Sequence, residues 1–302
     1  MALRKDIWRP AIVEATIAEI VRRGGVEGLP IHWLPPMGSF QFLADPFGLW
    51  RDGWLYVFVE AYDYRVRIGT VEVLVYDADY RLIERHPVLA EPWHLSYPQV
   101  FEAEGETWML PEAHRSGRLT LYRAIDFPTR WEPAQVIELG HPAVDATPVF
   151  HDGVWWLFYT STGTEAEKMG ALNIAFAERL GGPWRAHSAK PVRTDVAGGR
   201  PGGTAFVMDG RLVLPVQDCS ATYGGAIRAL TIERLTPSQF EATLGPRIVA
   251  PAGFAPYVEG LHTLAAAGQV TLIDAKRTEL SAQGLGIEIR REAGKLRRRL
   301  AG

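Results

Sequence analysis

Cysteine is all but missing from this 302-residue chain: Cys219 stands alone. No internal disulfide framework can form, and the composition suits a reducing compartment. No apolar run is long enough to span a bilayer. A secretory leader is missing as well, because Glu14 and Glu19 interrupt the apolar stretch that would follow the charged start. These absences lead to the expectation of a cytoplasmic protein without a membrane span. There is no basic excess either. A net charge of −3 leaves no footprint for a nucleic-acid partner, and the run from Arg290 to Arg299 reads as a solvated helix face. The glycine-rich stretch Gly198-Gly-Arg-Pro-Gly-Gly203 lacks the Lys-Ser/Thr ending of a phosphate-binding loop. Asp77-Ala-Asp79 has Asp-x-Asp spacing, but it falls where sibling repeats carry plain turns, and turn chemistry accounts for it. No organic cofactor is expected. A lone histidine is usually a satisfied structural residue, so no metal is expected either.

What the chain does have is an internal repeat. Five times a glycine precedes a short apolar run that ends in a polar residue. These runs are Gly53 to Glu60, Gly105 to Glu112, Gly153 to Thr160, Gly210 to Gln217 and, more weakly, Gly268 to Asp274. The glycines are 52, 48, 57 and 58 residues apart. A period near 50 residues made of strands predicts an all-β fold, a five-bladed β-propeller. Residues 30–302 are assigned to it and residues 1–29 to an N-terminal helical extension. Apolar residues at helical spacing over 9–23, with Pro10 near the start and Gly24-Gly25 after the end, predict the helix. Each blade then reads as an opening loop, an inner strand after the glycine, a second strand and outer strands. The second strands fall at 70–76, 118–124, 171–177, 226–232 and 286–290. The fifth unit stops early and would leave an open edge; residues 30–34 are placed there to close it. Ten tryptophans are assigned to the wedges between blades or to a ring-shaped ligand.

Before each glycine lies an opening segment: Ala44-Asp-Pro-Phe47, Ser96-Tyr-Pro-Gln-Val-Phe101, Asp145-Ala-Thr-Pro-Val-Phe150, Arg200 to Phe206, and Gly260-Leu-His-Thr-Leu264. Asp45 and Asp145 have a structural reading as turn caps. Two aspartates at equivalent positions, brought to one axis by the fold, point instead to a site. Glu112 and Glu60 both hold the seventh place after their glycines. Glu112, flanked by Pro111 and His114, is the chosen proton donor, with an inter-blade hydrogen-bonded carboxylate as the competing reading. Glu60 is the other candidate donor from that place, with the structural reading preferred for it. Arg200 pairs with Asp145 or clamps an anionic substituent by its planar fork. Gln217 and Asp218 are candidate contacts to sugar hydroxyls, with a turn anchor as the alternative for Asp218. His94, Tyr97, His114 and His262 are further candidate contacts. Arg277 joins them, with a salt bridge to Asp274 as its competing reading.

The Ala-Asp-Pro-Phe and Asp-Ala-Thr-Pro-Val-Phe segments resemble those of five-bladed propeller glycosidases, the arabinanase/xylosidase and invertase/levansucrase groups. Ser96 through Glu112, Leu121 to Pro128, and Arg200-Pro through Gln217-Asp-Cys219 are similar to the propeller domain of glucosamine inositolphosphorylceramide transferases. The glycosidase resemblance implies Asp45 as base or nucleophile and Asp145 as the residue that orients the sugar and tunes the acid. A glutamate of the fourth blade would be the general acid, and this chain departs there with Arg200-Pro201-Gly202-Gly203. The expected function is cleavage or transfer of a glycosyl group in the central funnel, on a sugar or glycoconjugate. The alternative is a non-catalytic propeller that binds a glycan or glycolipid and partners a glycosyltransferase.

Overall fold

The computed structural model describes residues 4–280 and 285–287. The chain opens with β1 (Lys5–Val13), α1 (Ile17–Arg23) and β2 (Ile31–Trp33). Blade one is β3 (Gln41–Arg51), β4 (Trp54–Asp63), β5 (Ile68–Tyr76) and β6 (Leu82–Leu89). Blade two is β7 (Ser96–Ala103), β8 (Glu106–Glu112), β9 (Leu119–Asp126) and β10 (Arg130–Ile137). Blade three is β11 (Ala143–His151), β12 (Val154–Ser161) and, after α2 (Glu165–Gly170), β13 (Ala171–Ala177), with β14 (Arg185–Ala186) and β15 (Arg193–Thr194) both on β13. Blade four splits its first strand into β16 (Arg200–Pro201) and β17 (Phe206–Met208), both paired to β18 (Arg211–Asp218), and continues with β19 (Ala226–Leu235) and β20 (Phe240–Ile248). β21 (Gly260–Ala267) and β22 (Val270–Glu279) begin blade five, which β1 and β2 complete in the order β21-β22-β1-β2. The fold is a five-bladed β-propeller.

The repeated glycines close hairpins. Asp52-Gly53, Glu104-Gly105, Asp152-Gly153 and Asp209-Gly210 each have positive φ at both residues, the type I′ turn whose twist matches paired strands. The segments expected as opening loops are therefore the innermost strands, and the apolar runs after the glycines are second strands. Segments expected as second strands are third in order, as 70–76 is within β5. The misreading has a physical cause. Four of the five innermost strands lose their alternation at a bulge, and that of blade four is split: pairing skips between Ala44 and Phe47, Ser96 and Gln99, Val144 and Thr147, and Leu261 and Leu264. A bulge turns one extra residue out of the ladder and re-aims its side chain.

The N-terminal expectation is corrected in part. Residues 5–13 are strand, and only 17–23 are helix. Thr16 caps that helix through the Glu19 N–H, and Gly24 ends it in the left-handed region. Pro10 to Val13 are buried and paired along β22; a continuous apolar run buried on both faces carries no period to separate strand from helix. β2 covers residues 31–33 at the outer edge of blade five, as expected of 30–34, but β1 lies between it and β22. Of the strand expected at 286–290, residues 285–287 are helical and 288–290 lie outside the described residues, as does the arginine-rich run.

Five buried clusters fill five wedges. Leu43, Val57 and Leu272 join blades one and five; Phe58, Val73 and Met109 join one and two. Leu110, Leu121 and Trp155 join two and three; Trp156, Ile174 and Leu214 join three and four; Ile227, Leu264 and Ile273, with Ile20 of α1, join four and five. A sixth, smaller cluster of Ile7, Trp8, Phe42 and Ala44 backs the funnel wall.

Candidate functional site

Asp45 and Asp145 are the first bulged residues of β3 and β11, and Tyr97 is that of β7; all three have φ near +50°. That region is costly for residues other than glycine, most of all for a bulky one. The Tyr97 side chain is buried and reaches from blade two to two other blades. Its hydroxyl meets Thr147 Oγ1 at 2.9 Å and accepts the Gly203 N–H at 2.7 Å, which ties blade two to blades three and four. Tyr97 is thus a plug beneath the funnel, not the sugar contact expected of it.

Above the plug is a cavity of about 320 Å³. Of the residues expected in the site, Asp45, His94, Glu112, His114, Asp145, Arg200 and His262 line it. Gln217 stands behind them, buried, and donates to Asp145 Oδ2 at 2.8 Å. Asp218 and Arg277 are elsewhere. Asp218 accepts from Ser220 and pairs with Arg247 at 3.1 Å, the turn-anchor role. Arg277 pairs with Glu279 at 3.1 Å and borders a separate cavity of about 150 Å³; its expected bridge to Asp274 does not form, because Asp274 holds His262. The sequence reading weighed Glu60 as a donor and set it aside as structural, and passed over Asp6, Trp8 and an aromatic wall of Phe42, Tyr62, Tyr64 and Tyr223. Phe42 stacks on Tyr62 at 4.9 Å, and Tyr62 meets Tyr64 edge-on at 5.0 Å. Glu60 had a signal, the seventh place it shares with Glu112. Asp6 and Trp8 had none while their strand was read as a separate extension.

Two charged assemblies organise the floor. In the first, His262 Nδ1 lies 2.7 Å from Asp274 Oδ1 and Nε2 lies 3.4 Å from Asp45 Oδ1, while the ring stacks on Trp8 at 3.6 Å. Burial alone would lower the His262 pKa, but the charges of Asp274 and Asp45 overcome it and hold it above the ordinary value. Asp45 is raised by burial, against the pull of His262. It accepts the Tyr97 N–H at 3.1 Å and donates its own N–H to Asp274 at 2.9 Å. Ligand atoms of Asp45, His262 and Asp274 lie within 4.8 Å of one another, the grouping among the described residues that could hold a metal. Its imidazole is already engaged by both carboxylates.

In the second, Arg200 Nε donates to Asp145 Oδ2 at 2.7 Å, both side chains 4% exposed. The Asp145 and Glu112 carboxyls are within hydrogen-bonding reach. Burial, opposed by Arg200 and reinforced by Glu112, pushes Asp145 up to about 7. Burial would raise Glu112 too, but hydrogen bonding to His114 and the charges of His114 and Arg200 hold it well below the carboxylate range. Two touching carboxyls do not both ionise readily, so the pair keeps one proton to near neutrality. Glu112 is the ionised partner, which is the wrong state for the proton donor expected of it.

The five-bladed propeller fold is shared with a set of solved structures. The catalytic domain of Coprinopsis cinerea GH62 α-L-arabinofuranosidase superposes with a TM-score of 0.57 at 13% identity, covering 80% of this chain and 93% of that one. The GH43_1 enzyme from Xanthomonas citri gives 0.54 at 15% identity, covering 88% and 94%. At these identities the likeness is one of fold. In sequence, the family described as glucosamine inositolphosphorylceramide transferase 1, N-terminal, matches residues 37–249, and the chain belongs to that family. Glucosamine inositolphosphorylceramide transferase 1 of Oryza sativa subsp. indica is 37% identical over 215 residues, covering 68% of this chain and 28% of that protein. Its Arabidopsis thaliana counterpart is 38% identical over 206 residues, covering 66% and 26%. The chain therefore spans little more than a quarter of the length of these relatives.

Proposed function

We propose that the funnel is a carbohydrate-active site that cleaves or transfers a glycosyl group. The observation that carries this reading is the convergence of Asp45, Glu112 and Asp145, from three blades, on one blind cavity with an aromatic wall. Aromatic faces suit the apolar side of a sugar ring, and glycosyl chemistry needs carboxyl groups in different protonation states. Asp45 takes the proton of the attacking water or acceptor hydroxyl, or attacks directly. Its raised pKa brings it closer to working pH, where a base is most effective. Ionised Glu112 and the Asp145–Arg200–Gln217 unit hold substrate hydroxyls. The family name supports a glycoconjugate substrate and a glycosyltransferase partner.

One observation favours a second reading, binding without turnover. Arg200 stands where the glycosidase resemblance calls for an acid, and it is buried against Asp145. A panel of glycosides and nucleotide sugars separates the two. Turnover by the native chain, abolished in Asp45→Asn with the melting temperature kept within a few degrees, is the expected result. Full activity in that variant would remove the mechanism. Saturable sugar binding with no turnover of any substrate would select the second reading.

A further inference from the structure

Glu60 is a buried carboxyl group that the mechanism above leaves unused. It lies on β4, directly across the ladder from Ala44, the residue before Asp45. It lines the cavity yet is only 6% exposed. Among the described residues its nearest cationic or imidazole group is His94, whose Nε2 is 3.7 Å from Glu60 Oε1. His94 comes from the segment between blades one and two and is fixed by its other nitrogen, because Nδ1 accepts the Gly69 N–H at 2.9 Å. That bond assigns the ring proton of the neutral imidazole to Nε2, facing Glu60. Gly69 itself is the seat of this contact. A Cβ there would stand 2.7 Å from Glu60 Oε1, 2.9 Å from His94 Cε1 and 2.4 Å from the Leu95 carbonyl. The Glu60–His94 approach therefore requires glycine at 69.

On the reading of the funnel as a glycosyl-processing site, we propose that Glu60 is the proton donor to the leaving-group oxygen and that His94 is its positioning residue. His94 Nε2–H faces Oε1 across 3.7 Å, which favours the proton on Oε2, towards the cavity. Water or an acceptor hydroxyl bonds to the anomeric carbon and yields its proton to Asp45. The glycosidic C–O bond breaks, its electron pair goes to the leaving oxygen, and that oxygen takes the Glu60 proton. Glu60 ends as carboxylate and Asp45 as acid, and exchange with solvent restores both.

The groups facing Glu60 agree with this role. Burial raises its pKa first, and Asp45 on β3, Glu112 on β8, Asp274 on β22 and Asp145 on β11 each raise it further, so it is held well above the ordinary range. On the remaining side, burial keeps His94 neutral, with its pKa lowered to about 4, helped by the charges of Arg115 and Lys168, which line the same cavity as Glu60. Glu60 is protonated under conditions in which Glu112 is ionised, and such divergence of environments separates acid from base.

The test compares aryl glycosides that carry poor (phenyl) and activated (dinitrophenyl) leaving groups. Glu60→Gln is expected to lose about 10²–10⁴-fold on the poor leaving group, to keep most activity on the activated one, and to lose the alkaline limb of the pH profile. Infrared difference spectra at neutral pH, native chain minus Glu60→Gln, are expected to show a protonated-carboxyl band beyond that of the Asp145–Glu112 pair, which both chains keep. His94→Gln is expected to shift the alkaline limb without removing it, which a merely structural role would not do. Equal losses on both leaving groups, or a native-minus-Glu60→Gln difference spectrum without a protonated-carboxyl band, overturn the donor assignment. If Asp45→Asn is inert while Glu60→Gln turns over phenyl glycosides fully, the donor alone is wrong. A native chain inert on the whole panel defeats both proposals together.

Discussion

Arg200 and Asp145 are each 4% exposed and 2.7 Å apart, so removing Arg200 leaves the negative charge of the Asp145–Glu112 pair without water and without this buried counter-ion. Arg200→Met is expected to destabilise the fold by about 3–5 kcal/mol, read from urea unfolding. The double variant Arg200→Met with Asp145→Asn should recover part of that, because only Glu112, hydrogen-bonded to His114, then keeps a buried negative charge. A single variant as stable as the native chain would show that the pair is not buried in solution. His94 offers a second residue-scale test. Its pKa is lowered to about 4 chiefly by burial, below the 6.5 of an unfolded histidine. The unfolded chain binds that proton more readily, so stability from this group is full above pH 6.5 and declines as pH falls towards 4. The difference approaches about 3 kcal/mol. Urea midpoints measured across that window should fall less steeply for His94→Gln; parallel curves would refute the assignment. Sequence reading found seven of the cavity-lining residues through two ideas, that opening segments meet on an axis and that the seventh place after the repeated glycines lies beside them. It placed Tyr97 and Arg277 wrongly because neither the sense of a bulge nor the far partner of an arginine is encoded in local pattern.

At the scale of elements, hairpin chemistry was legible and bulge chemistry was not. Asp-Gly and Glu-Gly pairs specify I′ turns by local backbone energetics alone. A bulge depends on what the extra residue reaches: Asp45 meets Tyr97 N–H and Thr263, and Tyr97 meets Gly203, two blades away. Tyr97→Phe keeps the ring and the N–H to Asp45 but strands the buried Gly203 N–H. A loss of about 1–3 kcal/mol is expected in denaturant unfolding, with cavity chemistry retained. An unchanged midpoint would mean that the hydroxyl does not hold the plug. The N-terminal segment shows the same limit. Residues 17–23 carry caps that mark a helix locally, whereas residues 9–13 became strand because β22 and β2 flank them.

For the whole molecule, closure is the decisive event. Residues 37–249, the part that matches the family, contain blades one to four. Blade five joins the two ends of the described chain, with β1 paired along β22 from Lys5↔Glu279 to Val13↔Thr271. An unpaired sheet edge invites association, and the same strand supplies Asp6 and Trp8 to the cavity. Deleting residues 1–13 is therefore expected to give an aggregating chain without a cooperative melting transition, measurable by calorimetry and light scattering. A monomeric deletion variant with native melting would show that the ring closes without β1.

By itself the sequence determined the repeat, the five blades, the turns and the acidic residues set at equivalent places, because these follow from short-range rules of twist, turn geometry and apolar spacing. Tertiary structure alone decided which strand completed the ring, which side chains passed the bulges into the funnel, and which carboxyl kept its proton. Those outcomes depend on burial and on charges hundreds of residues apart, as between Asp45 and Asp274, whose contact spans 229 positions.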